Sequence, residues 1–164
     1  MSSQLLEETR VAHVIRPYST RRATEIVGAP KVYAFDRGFV RHARGLAAPR
    51  SEGYGAFWEH YVLNEIHARV STVRPHYWRT KQRQEVDFVC DLGEAGLLAV
   101  ECRWSDESLG ELRGLRAFKS AYPAAEAVVV VPSLSREHAI GLGGTQRGRV
   151  TDLEGPIARL ARCG

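Results

Sequence analysis

The stretch from Lys81 to Trp104, KQRQEVDFVCDLGEAGLLAVECRW, constrains the chain more than any other. β-Branched and apolar residues alternate with polar ones on both sides of the breaker cluster Gly93-Glu94-Ala95-Gly96. This pattern predicts two strands joined by a tight connection. Side chains along a strand point to alternate faces, so Glu85 and Asp87 share one face and Glu101 and Arg103 share one face of the returning strand. Closure about Glu94 would bring Asp87 opposite Glu101 and Glu85 opposite Arg103. Like charges directly opposed on a sheet destabilise it by a few tenths to about 1 kcal/mol, so folding alone does not favour the Asp87/Glu101 pair. A divalent cation between the two carboxylates would remove the conflict.

The rest of the chain says what could carry such a hairpin. A length of 164 residues suits one domain that buries roughly two thirds of its unfolded surface. Cys90, Cys102 and Cys163 are spaced neither as a CxxC metal pair nor as an even secreted set, and read as reduced thiols of a cytoplasmic protein. Cys90 and Cys102 are expected as small core residues behind the acidic face. The N-terminus MSSQLLEETR has no basic segment leading into an apolar core, and no apolar run approaches the ~18 residues of a membrane span. A soluble, untargeted protein is therefore expected. The formal charge of +4 and pI near 9.2 permit a nucleic-acid partner without requiring one. The basic residues are almost all arginine, the lysines being Lys31, Lys81 and Lys119.

In chain order, residues 4–15 place Leu5, Leu6, Val11, Val14 and Ile15 at mixed helical spacing, before an extended basic arm that includes Arg16, Arg21 and Arg22. That arm is either a solvated loop or the end of a winged-helix element lying near a phosphate backbone. Residues 30–40 predict a strand turning at Asp36-Arg37-Gly38, and the Gly-, Ala-, Pro- and Arg-rich segment up to Gly55 predicts no firm structure. Residues 55–70 carry Trp58, Tyr61, Val62, Ile66 and Val70 on one broad helical face, with Glu59 beside that stripe, either solvated or aimed at the acidic hairpin. His60 and His67 lie two turns apart and read as surface residues rather than ligands.

Residues 76–80 predict a strand leading into the hairpin. After Trp104, Ser108 and Glu111 form an S-x-x-E capping pattern, and Leu109, Leu112, Leu115, Phe118 and Tyr122 follow at helical spacing up to Pro123. The apolar run in 126–132 predicts a strand buried on both faces, returned by that helix parallel to the Leu97–Trp104 strand. The glycines of Gly141-Leu142-Gly143-Gly144 lack the lysine and hydroxyl residue of a phosphate loop and read as a turn, so no ATP site is expected. A short strand near Val150 and a terminal helical turn over 156–161 complete the chain.

Glu59 on a helix, Asp87 in E-V-D-F-V and Glu101-Cys102-Arg103 in V-E-C-R together resemble the PD-(D/E)XK nuclease superfamily. More widely, PKVYAFDRGF, WEHYVLNEI, HYWRT, EVDFV, AVECRW and LRAFKSAYP resemble, in that order, the domain of unknown function that follows the ATPase module in a large group of bacterial and archaeal AAA-type ATPases. The likeness runs from about Leu5 to Val131. It implies an α/β fold, a restriction-endonuclease-like α-β-β-β-α-β sandwich with a central mixed sheet. Residues 1–29 would then form an N-terminal helix and basic arm, a partial winged-helix remnant, and residues 30–164 the nuclease-like domain.

The resemblance implies that Asp87 and Glu101 hold magnesium or manganese, with Glu59 as a helper. Arg103 stands where the superfamily has its catalytic lysine, and an arginine clamps phosphate but does not act as a general base. Lys81 or Lys119 would be candidates for a displaced lysine. Arg79, Lys81 and Arg83, at the entry to the hairpin, are the expected nucleic-acid contacts. The family's ATPase half is missing, which implies a standalone module or a truncated product. Two functions follow, a metal-dependent DNA nuclease or a non-catalytic module that binds DNA, a protein partner or a separate ATPase module. A plainer alternative makes the acidic hairpin a solvated face, with Glu85 paired to Arg103.

Overall fold

The computed structural model describes residues 12–20, 28–34, 54–107 and 109–163. Its centre is a six-stranded mixed sheet in the order β3-β4-β5-β6-β8-β7, formed by β3 (His76–Arg79), β4 (Glu85–Asp91), β5 (Leu97–Cys102), β6 (Glu126–Val130), β7 (His138–Gly143) and β8 (Gln146–Thr151). β5, β6 and β8 run parallel, while β3/β4, β4/β5 and β7/β8 are antiparallel pairs. A separate antiparallel ribbon joins β1 (Ala12–Ile15) to β2 (Lys31–Ala34). Just beyond β1 the chain runs beside β3: the Tyr77 amide donates to the Arg16 carbonyl at 3.2 Å, and the Tyr18 amide donates to the Tyr77 carbonyl at 2.6 Å.

Three helices cover the sheet among the described residues: α1 (Tyr54–Arg69), α2 (Arg113–Ala121) and α3 (Glu154–Ala161). Strand alternation divides the apolar residues into two layers. Phe88, Leu98, Val100 and Val128 pack with Trp58, Val62, Leu63 and Ile66 of α1 and with Ile157 and Leu160 of α3. Trp78, Val89, Ala99, Val129 and Val150 pack with Leu115 and Phe118 of α2. Because β6 is covered on both sides, its sequence can be an unbroken run of valines, which is why it reads as a doubly buried strand. The α2 crossover returns the chain from β5 to a parallel β6, as the apolar pattern predicts.

The β4–β5 hairpin closes through a 3₁₀ turn at Gly93–Ala95, with the Leu92 amide donating to the Gly96 carbonyl at 2.9 Å. Gly93 (φ 62°) and Gly96 (φ 89°) adopt the left-handed backbone that a side chain disfavours. Further along, β3 pairs His76 with Val89 but Trp78 with Val86, so β4 advances three residues while β3 advances two. The extra residue falls in the interval containing Asp87. A bulge of this kind bends a strand and re-aims the side chain it carries.

Several expectations are corrected. Ala12–Ile15, expected as the end of a helix, is a strand, because Val14 and Ile15 suit an extended chain and β2 offers a complete antiparallel ladder. The expected α2 capping box does not form. The helix starts at Arg113 after Leu112, which provides no side-chain cap, and the Glu111 carboxylate pairs with Arg113 instead of the helix amides. The glycines at 141–144 supply a turn as read from the sequence, although the first of them lie within β7. They end β7 and turn into β8, with Gly143 and Gly144 at positive φ and Leu142 buried against the core. The first part of the expected N-terminal helix, Arg21, Arg22, the turn at Asp36-Arg37-Gly38, the segment 39–53 and Ser108 lie outside the described residues. Among the described residues, no helix is long and apolar enough to cross a membrane.

Candidate functional site

The β4–β5 ladder pairs Asp91 with Leu97, Cys90 with Leu98, Val89 with Ala99 and Phe88 with Val100. One further step in that register sets Asp87 across from Glu101. Asp87 is oriented by the Cys102 backbone amide, which donates to its Oδ2 at 2.8 Å. Glu101 is buried, only 5% exposed. Its Oε1 meets Arg103 Nη2 at 2.7 Å, while its Oε2 is buried and accepts no hydrogen bond. An ionised oxygen left in that condition is costly unless a cation or a proton reaches it.

α1 supplies the third carboxylate. Trp58 anchors the helix by donating from Nε1 to the Val130 carbonyl at 2.9 Å, at the end of β6. The next residue, Glu59, thereby faces the β1–β2 ribbon, where Tyr33 donates its hydroxyl to Glu59 Oε1 and Lys31 Nζ lies 3.5 Å from the same oxygen. Lys31 also pairs with Glu85, whose other oxygen meets Arg79 Nε at 2.9 Å. Lys31 thus bridges Glu59 and Glu85, and Arg79 joins Glu85, while Arg103 holds Glu101 and the Cys102 amide holds Asp87.

The titration behaviour reflects this crowding. Burial first, then the charges of Glu101 and Glu59, hold the Asp87 carboxyl well above the usual range, against the pull of the Cys102 amide and Lys31. Burial likewise pushes Glu101 up to about 7, although Arg103 draws it down; Glu59 and Glu85 add to the rise. Burial alone would lower Lys31, but Glu59, Glu85 and Asp87 outweigh it and raise its pKa, so it remains an ammonium at neutral pH. The Tyr33 phenol is raised by burial and by Glu59, and so stays a hydrogen-bond donor.

Of the residues expected from the sequence, Asp87 and Glu101 face each other in the hairpin register and Arg103 pairs with Glu101, while Glu59 is held by Tyr33 and Lys31. Glu85 does not pair with Arg103: Lys31 of β2 and Arg79, its cross-strand partner on β3, take it instead. This overturns the reading of the hairpin as a plain solvated face. Arg103 is fastened by its Nε to the Leu109 carbonyl and its Nη1 to the Cys102 carbonyl, both at 3.1 Å.

Neither lysine proposed as a displaced partner takes that place. Lys119 donates to the Pro123 and Ala125 carbonyls beyond the end of α2, and Lys81 is exposed on the β3–β4 turn. Arg79, Lys81 and Arg83 do share that turn, where Arg83 has φ 62°, but Arg79 is committed to Glu85. Cys90 and Cys102 are both buried free thiols in the α1-side core. His60 bonds to the Ala56 carbonyl and sits edge-on to Tyr33, and His67 stacks on His13. Lys31 and Tyr33 are the members that sequence reasoning missed. Their i, i+2 spacing in a strand was the available signal, since it puts both on one face.

The residues can neutralise and orient an anionic group at the sheet end, and they offer hard oxygen donors to a cation. Among the described residues, no group of three or more His, Cys, Asp or Glu side chains is placed to hold a metal. The protein's share would therefore be the Asp87/Glu101 pair, with Glu59 turned toward Tyr33 and Lys31.

The molecule is thus a mixed α/β domain with an acidic, cation-laced site at the end of its central hairpin. It belongs to the family described as Domain of unknown function (DUF4143), whose model matches residues 54–143. Two curated relatives, uncharacterized proteins of Mycobacterium bovis and Mycobacterium tuberculosis, are each 30% identical over 91 residues, covering 53% of this chain. The matched region is only 21% of each relative's length. No solved structure matches the chain.

Proposed function

We propose that this chain is a PD-(D/E)XK nuclease-like module of an AAA-type ATPase family, in which Asp87 and Glu101 hold magnesium or manganese for hydrolysis of a DNA phosphodiester. The observation that carries this reading is the buried Oε2 of Glu101, which accepts no hydrogen bond and lies in a pair with Asp87 that folding alone disfavours. The donor set fits the ion. Magnesium takes oxygen ligands, keeps several waters, and is commonly held by one or two carboxylates together with substrate phosphate. When bound, it polarises a phosphoryl oxygen and makes a water more nucleophilic at neutral pH.

The chain's own residues have separable parts. Arg103 holds Oε1 of Glu101 and so leaves Oε2 as the oxygen presented. The Cys102 amide fixes the rotation of Asp87, and the bulge in β4 sets its direction. Lys81 and Arg83, exposed on the adjoining turn, are placed to meet the DNA backbone as point and fork charges. The order of sequence motifs supports the ATPase association, and relatives of much greater length are consistent with it.

Titration calorimetry of magnesium and manganese into the wild type and Asp87→Ala, with plasmid nicking on the same samples, tests this. Binding and nicking in the wild type, both lost in the variant, are expected. Absence of nicking under any divalent ion would sink the nuclease reading.

The fastening of Arg103 favours a second reading. A guanidinium tied to Glu101 and two carbonyls cannot act as a general base, which suits a non-catalytic module that binds DNA or a protein. DNA binding would then survive Asp87→Ala and weaken with salt, and salt-insensitive or absent DNA binding would point to a protein partner.

A further inference from the structure

We propose that Trp104, laid on Tyr54 just beyond the end of β5, is a stacking platform for an unpaired base, so that the site takes single-stranded DNA in preference to duplex. The proposal rests on the DNA reading above and names the form of DNA that suits the site. The chain's three tryptophans differ sharply in exposure. Trp58 and Trp78 are buried in the two core layers, whereas Trp104 is 49% exposed. Its indole stacks on the Tyr54 ring with 4.8 Å between centroids and 17° between planes. An indole covered on both faces could not keep that exposure, so the face opposite Tyr54 meets solvent.

Backbone bonds fix where this ring pair stands. The Val130 carbonyl, at the end of β6, accepts from Trp58 Nε1 at 2.9 Å and from the Arg103 amide at 3.0 Å. One oxygen therefore ties the start of α1 to the chain leaving β5. Tyr54 precedes Trp58 by one helical turn and lies on the same side of α1, which brings its ring to the residue after Arg103. Trp104 is three residues beyond Glu101, roughly 10 Å at full extension. Arg103, between them, holds Glu101 Oε1 through Nη2 at 2.7 Å. A strand with one phosphate at Glu101 thus has a neighbouring base within reach of the indole.

A flat aromatic ring accepts the π-face of any base, which is how proteins hold single strands without reading their sequence. In a duplex the bases are stacked on one another and show only their edges in the grooves, so an exposed ring gains little there. Charge points the same way. Asp106 and Glu107 follow within three residues of Trp104, and carboxylates there suit an uncharged base better than a phosphate. A protein partner would need a contiguous apolar patch. Among the described residues the other exposed large hydrophobic is Val32, on the face of the β1–β2 ribbon opposite to Lys31 and Tyr33, so Trp104 is an isolated ring and not part of such a patch.

The test titrates a dT oligonucleotide, and a blunt duplex of the same length, into the full chain while following tryptophan emission, in EDTA and again in calcium. Trp104 is the exposed tryptophan, so quenching reports on this ring directly. The dT strand should quench the emission and bind at least about tenfold more tightly than the duplex. Trp104→Leu should lose about tenfold or more of the dT affinity, the usual loss for one stacked base, with little change for the duplex. Trp104→Tyr, which restores a ring, should regain part of it.

Binding of dT that leaves the emission unchanged would overturn the proposal, as would equal affinity for dT and duplex, or no dT binding in either condition. Wild-type dT affinity in Trp104→Leu would overturn it too, and so would a Trp104→Tyr variant no better than Trp104→Leu. Plasmid nicking in manganese on the same wild-type sample separates this proposal from the one it rests on. Nicking without quenching by dT overturns the stacking platform and leaves the hydrolysis. Quenching by dT without nicking supports the platform and overturns the hydrolysis, leaving a module that holds single strands without cutting them.

Discussion

Burial and neighbouring carboxylates push Glu101 up to about 7 and hold Asp87 above its ordinary range, which has a consequence for stability. A carboxyl whose pKa is raised on folding binds its proton more tightly in the native state. Its stabilisation is complete below the ordinary value near 4.5 and is lost as pH rises to about 7. The chelated protein should therefore be less stable at pH 8 than at pH 5, with Glu101 contributing on the order of 3 kcal/mol. Melting temperatures in EDTA at the two pH values, for the wild type and Glu101→Gln, check this. The variant should lose much of the pH dependence, and an equal slope in both proteins would refute the assignment. Asp87 and Glu101 were legible in the sequence because strand alternation and a symmetric turn place them opposite each other. Lys31 was not. Its partners lie 28 and 54 positions away, on α1 and β4, and no local period encodes a contact made between separate elements.

At the scale of elements, the close seating of α2 on β4 determines how rigidly Glu85 and Asp87 are held. Gly114 makes this approach possible: a Cβ at that position would stand 1.6 Å from the Glu85 carbonyl oxygen. Alanine would gain about 1 kcal/mol in helix propensity. The clash is with main chain, however, and cannot be relieved by rotating a side chain, so overpacking of roughly 3 kcal/mol or more should prevail. Gly114→Ala should lower the urea midpoint clearly, and a stabilised variant would show that α2 can move away at no cost. The helix itself was legible from its leucine and phenylalanine spacing, but its start was not. The S-x-x-E pattern at 108–111 matches a cap by residue type, yet Gly110 at φ 61° turns the backbone before the helix begins. β1 was misread for a related reason. Four residues satisfy a helical and an extended pattern equally well, and only the pairing with β2 decides between them.

Across the whole molecule, the site joins two parts of unequal stability. Asp87 and Glu101 belong to β4 and β5, which have strands on both sides and helices across the sheet. Lys31 and Tyr33 belong to a two-stranded ribbon of four residue pairs, connected to β3 through backbone bonds at Tyr77 and through the Tyr77 hydroxyl, which donates to the Ala29 carbonyl at 2.9 Å. A unit with so few ladder bonds should open below the global unfolding free energy. Each opening would carry Lys31 and Tyr33 away from Glu59 while leaving the Asp87/Glu101 pair in place. Hydrogen exchange followed by mass spectrometry should therefore show segments 12–15 and 31–34 exchanging through a sub-global opening, with β5 and β6 protected up to the global limit. Tyr77→Phe removes the bond to Ala29, worth about 1 kcal/mol, and should speed exchange of the ribbon roughly fivefold while β5 and β6 hold their rates. If the ribbon and the central strands instead accelerate together, the ribbon is a cooperative part of the core. Lys31 would then be fixed as firmly as the carboxylates it faces.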